Sequence, residues 1–154
     1  MSILLKRGRY ISMDVKIELN ESKILQKVTG DKFGLLVSNE WKRLINPYTP
    51  RNMGLLEGNC QLSPFEIWYK ENYAHYMYEG IVYVDPVTKA AGFLDKDGNW
   101  KSRYGVKKIP SERSFNYQKK NPYSTDHWDI KAAQAGQLDK LYRILNAQLK
   151  ANKI

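Results

Sequence analysis

The sequence predicts an α+β domain in which a long N-terminal helix packs on a small, mostly antiparallel sheet, with a C-terminal helical segment and a long basic loop. Three observations favour this fold class. Apolar and charged side chains alternate in "DVKIEL", residues 14–19, as they do in a half-buried strand. Residues 20–46 carry apolar side chains at helical spacing. Leucines recur at the same spacing from Leu138 to Leu149.

The length and composition indicate one domain. A chain of 154 residues suits a single hydrophobic core, and 42% hydrophobic with 12% aromatic residues is typical of a folded soluble protein. We place this domain at residues 13–154, because the first strand begins directly after Met13. Residues 1–12 carry three basic residues and little that can pack, so we expect a flexible N-terminal extension.

Cysteine usage and hydropathy favour a cytosolic protein. The single cysteine, Cys60, cannot form an internal disulfide, and no Cys or His pair has the spacing of a zinc site. No apolar run approaches the roughly 20 residues that cross a bilayer. The N-terminal charges follow the short apolar run, whereas a signal peptide has them before it. We expect no membrane contact, no metal and no cofactor.

The long helix is expected to begin at Asn20, a good N-cap residue, and to end by Asn46. Pro47 sets the end, because proline disfavours helical geometry in the residue before it. Gly30 and Gly34 allow a bend, so the apolar positions need not share one face. These positions form two sets, Ile24, Val28 and Leu35, then Val37, Trp41 and Leu44.

The middle of the chain predicts short elements joined by turns. Residues 47–64 indicate a turn and then a strand with an irregularity at Gly58, and residues 65–70 continue as strand or pass into helix. A short helix is expected over 71–79, stopped by Gly80. "IVYVDP" predicts a strand closed by a turn at Asp85 and Pro86, and "DKDG" predicts a hairpin turn.

Positive charge is concentrated in one segment. The chain has 25 Lys and Arg against 16 Asp and Glu, a formal charge of +9. Between residues 101 and 120 only Glu112 opposes seven cations, which are Lys101, Arg103, Lys107, Lys108, Arg113, Lys119 and Lys120. Residues 101–122 lack periodicity and contain Gly105, Pro110 and Pro122, so we expect a loop or extended arm that contacts partner proteins or DNA.

The C-terminal segment predicts helices. Ser124, Thr125 or Asp126 is expected as the N-cap, with Asp129 in the first turn. Gly136 is expected to divide the segment into two helices.

The residue types give little support for catalysis. Tyr69, Tyr73 and Tyr76 have the spacing i, i+4, i+7, which predicts one helical stripe used for packing or for an interface, and Trp128 is assigned the same role. His75 and His127 pair with no nucleophile motif in their local sequence. No nucleotide-binding, zinc-protease or serine-hydrolase motif occurs. We therefore expect a protein that is not an enzyme.

Three stretches together resemble a known family. These are "YTPRNMGLLEGNC" at 48–60, "YAHYMYEGIVYVDP" at 73–86, and "SFNYQKKNPYSTDHWDIKAAQ" at 114–134, followed by the leucine-bearing helix. In this order they resemble the minor capsid or tail-completion proteins encoded by phages and prophages of Gram-positive bacteria. The similarity covers roughly Met13 to Leu149.

The resemblance implies a virion protein of the head-to-tail connection, assembled in the bacterial cytoplasm. Such proteins form rings, commonly hexameric, around the channel that DNA traverses, so the implied partners are other copies, neighbouring neck and tail proteins, and non-specifically the DNA. Two alternatives remain. A small nucleic-acid-binding regulator would use the basic segment with its aromatics, Tyr104, Phe115 and Tyr117. A hydrolase would place its site near His75 or His127.

Overall fold

The computed structural model describes residues 5–7, 15–19, 30–51, 54–117 and 120–151. Helices and small antiparallel sheets alternate along this part of the chain, which confirms the α+β class. The helices are α1 Asp31–Ile45, α2 Leu55–Gly58, α3 Ala74–Glu79, α4 Trp128–Gln134 and α5 Gln137–Lys150. The strands are β1 Leu5–Arg7, β2 Val15–Leu19, β3 Cys60–Ser63, β4 Glu66–Tyr69, β5 Ile81–Val84, β6 Phe93–Leu94, β7 Trp100–Lys101 and β8 Ile109–Ser114.

The largest sheet has four antiparallel strands in the order β1-β2-β4-β3. Ile67 at the centre of β4 pairs with Ile17 of β2 on one side and with Leu62 of β3 on the other. The strand predicted over residues 14–19 is therefore present as β2. Strand β1 lies within the predicted N-terminal extension and pairs with β2, while residues 1–4 and 8–12 lie outside the described residues.

Helix α1 supplies the centre of the core and packs against β3, β4, α4 and α5. Of its predicted apolar positions, Val37, Trp41 and Leu44 are buried, whereas Leu35 lies on the exposed side. The start predicted at Asn20 lies outside the described residues. The predicted end is confirmed, since α1 stops at Ile45 and the 3-10 turn Asn46–Tyr48 follows.

The C-terminal helices close the core over α1. Gly136, with φ of 86°, separates α4 from α5 as predicted. Leu141 and Leu145 are buried in the core, and Leu138 and Leu149 pack against it.

The predicted cap of the C-terminal segment is wrong by one residue. His127, not Ser124, Thr125 or Asp126, precedes α4, and its backbone has φ of 40°. The Ser124 hydroxyl group donates a hydrogen bond to the carbonyl oxygen of Asn121, and the Thr125 hydroxyl group donates one to Asp126 Oδ1.

Two further expectations need correction. Residues 55–58 form the short helix α2 where only a turn was predicted, and the strand begins after it at Cys60. The basic segment is not simply a loop, because β8 within it pairs antiparallel with β5. That pairing joins residues far apart in sequence, which local periodicity does not reveal.

Candidate functional site

An open groove with a volume of about 890 Å³ lies between α3, the β5-β8 sheet and the chain that connects β5 to β8. Most of its lining is aromatic or aliphatic, and two lysines complete it. The lining residues are Tyr73, His75, Tyr76, Val82, Tyr83, Ala91, Trp100, Val106, Lys107, Lys108 and Phe115. The helix carrying the tyrosines and the basic segment, which the sequence presents as separate features, therefore meet at one site.

Aromatic rings pack against one another along the groove. The ring of Tyr76 lies 4.7 Å from that of Tyr83 and 5.5 Å from that of His75, measured between centroids. Tyr76 comes from α3 and Tyr83 from β5, so the ring contact joins the two elements. Tyr73 precedes α3 and is 40% exposed. Such a surface offers flat apolar area with hydroxyl groups at its edge.

Lys107 and Lys108 give the groove its positive charge. Lys108 Nζ donates a hydrogen bond to the carbonyl oxygen of Ala91, which joins the residue before β8 to the part of the chain that follows β5. Lys107 is exposed, and within the described residues it forms no ion pair. No carboxylate lines the groove in the part of the chain that the structure describes. The site therefore suits an apolar ligand that carries negative charge.

We call residues 85–108, between β5 and β8, the arm; this segment shares only residues 101–108 with the loop or extended arm predicted over 101–122. Within it β6 and β7 form the hairpin predicted at "DKDG", with Leu94 opposite Trp100 and Phe93 opposite Lys101. Arg103 Nε lies 2.7 Å from Asp85 Oδ2, and Lys101 forms an ion pair with Asp95. Two of the predicted partner-contacting cations are thus engaged inside the arm itself.

Two carboxylates of the arm, Asp85 and Asp95, have lowered pKa values. For Asp85, burial opposes ionisation, but the amides of Thr88 and Val87 and the charge of Arg103 together lower the pKa below its ordinary value. For Asp95, the hydrogen bond from Lys101 lowers the pKa most, and the amide of Asn99 adds to it. Both carboxylates are therefore held ionised, in agreement with their ion pairs.

Large apolar side chains are exposed along the arm. The described residues include ten such side chains, and five of them lie in the arm: Val87, Phe93, Leu94, Trp100 and Tyr104. Leu94 is 65% exposed and Trp100 is 64% exposed. Single exposed apolar residues are ordinary, but their concentration in one segment makes the arm a candidate interaction surface.

The indole ring of Trp100, at the edge of the groove, lies close to the backbone of Gly92. A Cβ atom at residue 92 would lie 2.6 Å from the indole ring and 2.8 Å from the carbonyl oxygen of Lys101. Glycine at this position lets the indole ring lie against the opposite strand. The sequence predicted the hairpin turn before Trp100 but no place for the indole ring in a site, because the other groove residues come from other segments.

The predicted tyrosine stripe is divided by the structure. Tyr69 is on β4 and fully buried. Tyr73 directly precedes α3, and Tyr76 lies within that helix. Trp128 is also fully buried, with its ring nearly perpendicular to those of Tyr69 and Tyr78. Tyr69 and Trp128 therefore serve the core, and only Tyr73 and Tyr76 reach the groove.

Two further predicted cations, Arg113 and Lys120, are not among the residues that line the groove. Arg113 donates a hydrogen bond to the carbonyl oxygen of Lys89, and Lys120 is exposed. Lys119 lies outside the described residues. The six cations that the structure describes therefore do not form one contact surface.

His127 sits between two carboxylates. Its Nδ1 lies 2.9 Å from Asp126 Oδ2, and its Nε2 lies 3.9 Å from Glu79 Oε2. Burial opposes ionisation of Asp126, but hydrogen bonds from His127 and Thr125 lower its pKa. This geometry joins the C-terminal end of α3 to the start of α4, which is a structural task.

Among the described residues, no group of three His, Cys, Asp or Glu side chains is placed to hold a metal ion. No helix in the same ranges is long and apolar enough to cross a membrane. Searches against protein-family models, curated proteins and solved structures found no match to the chain.

Proposed function

We propose that this protein is a structural subunit of the phage head-to-tail connection, where copies assemble into a ring around the DNA channel and join the tail end to the head. The observation that carries the proposal is the arm, with five large apolar side chains exposed. The family resemblance supplies the biological setting. An enzymatic role is not part of the proposal.

The charges of the arm support burial in an assembly. Asp85 pairs with Arg103 and Asp95 pairs with Lys101 within one chain. Charges that are already paired are less costly to remove from water than isolated ones. The arm is therefore suited to pack against a protein surface despite the +9 charge of the chain.

Native mass spectrometry of the purified chain tests the assembly, and a closed oligomer is the expected result. Leu94→Asp places a charge on the apolar arm and should shift the population to monomers. Leu55→Asp is the matched control, because Leu55 is an exposed leucine outside the arm. Equal oligomers for both variants would show that the arm is not the contact.

Antibody labelling of virions tests the location. Gold label is expected at the junction of head and tail. Label elsewhere on the particle, or none on intact virions, would contradict the head-to-tail role even if the purified protein forms a ring.

A second candidate, a small nucleic-acid-binding regulator, is supported by the lysines that line the groove beside aromatic rings. It predicts oligonucleotide binding by the monomer that weakens steeply with salt. Binding that does not depend on salt would count against it.

A further inference from the structure

The groove offers aromatic rings that are open to solvent. Trp100, on β7, is 64% exposed, and Tyr73, directly before α3, is 40% exposed. Tyr76 and Tyr83 are half-buried and pack against each other, with 4.7 Å between ring centroids. The groove therefore combines a packed aromatic lining with two rings that a ligand can reach.

The groove also has positive charge that a ligand can reach. Lys107 is exposed, and among the described residues it forms no ion pair. Lys108 uses one of the three N–H donors of its ammonium group on the carbonyl oxygen of Ala91. No carboxylate occurs among the described lining residues. Both lysines can therefore donate hydrogen bonds to negatively charged oxygen atoms of a ligand.

We infer that the groove binds single-stranded nucleic acid, with bases stacked on Trp100 and Tyr73 and with a phosphate group beside Lys107. This inference rests on the second candidate function and deepens it, because it names the ligand class and the residues that hold the ligand. It does not depend on the ring, since one copy of the chain contains the whole groove.

The combination of rings and lysines selects this ligand. A nucleic-acid strand alternates flat bases with negative phosphates, so one strand meets both features of the groove at once. Proline-rich peptides also dock in aromatic grooves, but they carry no regular negative charge for the lysines. Acidic peptides would meet the lysines but leave the exposed rings without flat partners.

The size of the groove favours a single strand over a duplex. Its volume of about 890 Å³ accommodates a short stretch of one strand. In a duplex the faces of the bases are already stacked on one another, so they are not available to Trp100 or Tyr73. Every base has a face that can stack. The expected ligand is therefore a single strand of any sequence.

Fluorescence anisotropy of a labelled oligothymidylate of about 12 nucleotides, within the usual range of single-strand site sizes, measures the binding. Trp100→Ala should weaken binding about 5-fold to 150-fold, which corresponds to the loss of one stacked base. Trp100→Phe keeps a ring and should recover most of the affinity. Circular dichroism checks that both variants keep the fold.

The matched control is Leu94→Ala, which should bind as the unaltered chain does. Leu94 lies opposite Trp100 in the hairpin and is 65% exposed, but it does not line the groove. Equal affinities for Trp100→Ala and Leu94→Ala would show that the strand lies elsewhere, and the inference would be overturned.

Tryptophan fluorescence gives a second readout. Trp100 is the exposed one of the four tryptophans, since Trp41 and Trp128 are fully buried and Trp68 is half-buried. Saturating oligothymidylate should therefore quench the emission of the unaltered chain, and Trp100→Phe should lose the quenching although it still binds. Unchanged emission of the unaltered chain at saturation would show that no base stacks on Trp100, which overturns the inference.

Lys107→Ala tests the phosphate contact. The slope of the logarithm of affinity against the logarithm of salt concentration should fall by about 0.7, the value for one phosphate of a single strand. Lys96→Ala should keep the slope of the unaltered chain, because Lys96 is an exposed lysine of the same arm that does not line the groove. Equal slopes for the two variants would mean that overall charge controls binding, and the inference would be overturned.

Three further outcomes separate this inference from the proposed functions. If oligothymidylate paired with its complement binds as tightly as the single strand, the second candidate function stands and only the inference fails. If a glutamate–tyrosine copolymer binds more tightly than the oligonucleotide, the groove takes an acidic protein segment and the inference is overturned. If neither form of the oligonucleotide binds, the inference and the second candidate function fall together, while native mass spectrometry and labelling of virions still decide the head-to-tail role.

Discussion

Tyr78 and Asp129 form a buried polar pair inside the aromatic core. The Tyr78 hydroxyl group donates a hydrogen bond to Asp129 Oδ1 over 2.8 Å, and the tyrosine ring packs on Trp128. The pair joins α3 to α4, and so joins the groove side of the molecule to the C-terminal helices. Sequence reasoning assigned no role to Tyr78.

Tyr78→Phe should lower the free energy of unfolding by about 1–3 kcal/mol, because the buried carboxylate loses a donor. Chemical denaturation measures the change. Tyr123→Phe is the matched control, since Tyr123 is exposed and should lose almost nothing. Equal stability of both variants would mean that the Tyr78 hydrogen bond contributes nothing net.

Asp129 should also shape the response of stability to pH. Burial raises its pKa above the ordinary value, although hydrogen bonds from Tyr78 and from the amide of Ile130 oppose the shift. Between the ordinary pKa, about 3.9, and the raised one, the folded state binds more protons than the unfolded state. The contribution of Asp129 to stability therefore rises as pH falls through this window.

Asp129→Asn should remove that contribution while keeping an acceptor for Tyr78. Denaturation of both proteins at several pH values gives the comparison. At neutral pH the free energy of unfolding of the variant should equal or exceed that of the unaltered protein. The difference between the two free energies should become smaller as the pH falls. A difference that becomes larger as the pH falls would show that the core favours the charged form of Asp129.

At the scale of elements, α1 and the β3-β4 turn are held in close contact. A Cβ at Gly34 would lie 2.6 Å from Pro64 Cβ and 2.9 Å from the ring of Phe65. Gly34 also accepts a hydrogen bond from the amide of Phe65 through its carbonyl oxygen. Glycine serves close approach here, a role that the predicted bend did not include.

Gly34→Ala is expected to destabilise the fold by about 1–3 kcal/mol through overpacking. Gly58→Ala is the control, because Gly58 is also helical but has open space where the Cβ would be. Melting temperatures of the two variants give the test. A lower melting temperature for Gly58→Ala together with an unchanged one for Gly34→Ala would contradict the packing argument.

Strand β8 makes a second prediction at this scale. Its pairing with β5 and the bond from the Ser111 hydroxyl group to the carbonyl oxygen of Val82 lie within one chain. Amide hydrogen exchange of the free protein should therefore be slower in Ile109–Ser114 than in the hairpin turn at 95–98. Equally fast exchange in both would mean that the strand orders only on assembly.

At the scale of the whole molecule, carboxylates with lowered pKa values are unevenly distributed. Asp85 and Asp95 lie in the arm, and Asp126 lies next to α4. A lowered folded pKa gives stability that is present above the ordinary value and lost as pH falls through the folded value. The pKa of Asp129, in the core, is raised instead, so its contribution to stability changes with pH in the opposite direction.

Acidification below about pH 4, near the ordinary pKa of aspartate, should therefore loosen the arm before the helical core. Amide NMR spectra recorded from neutral to acidic pH measure this, with residues 85–103 expected to shift and broaden before those of α1 and α5. Simultaneous loss of all signals would indicate that the arm and the core unfold as one unit.

The sequence by itself determined the fold class, the strand within 14–19, the end of the long helix and the break between the two C-terminal helices. Alternation in 14–19, the stop at Pro47 and the break at Gly136 are local effects, since each acts within a few residues of backbone. The leucines of α5 follow from the same short-range geometry.

Only the tertiary structure decided the groove and the separation of the tyrosines. Tyr76, Tyr83, Trp100 and Lys107 come from α3, β5, β7 and the approach to β8, and they meet because β5 and β8 pair across the arm. Tyr69 fell on a strand rather than the helix, because its pairing with Val15 and Cys60 outweighed its spacing from Tyr73. Such contacts depend on packing between segments that are distant in sequence, and a local pattern of residues carries no information about that packing.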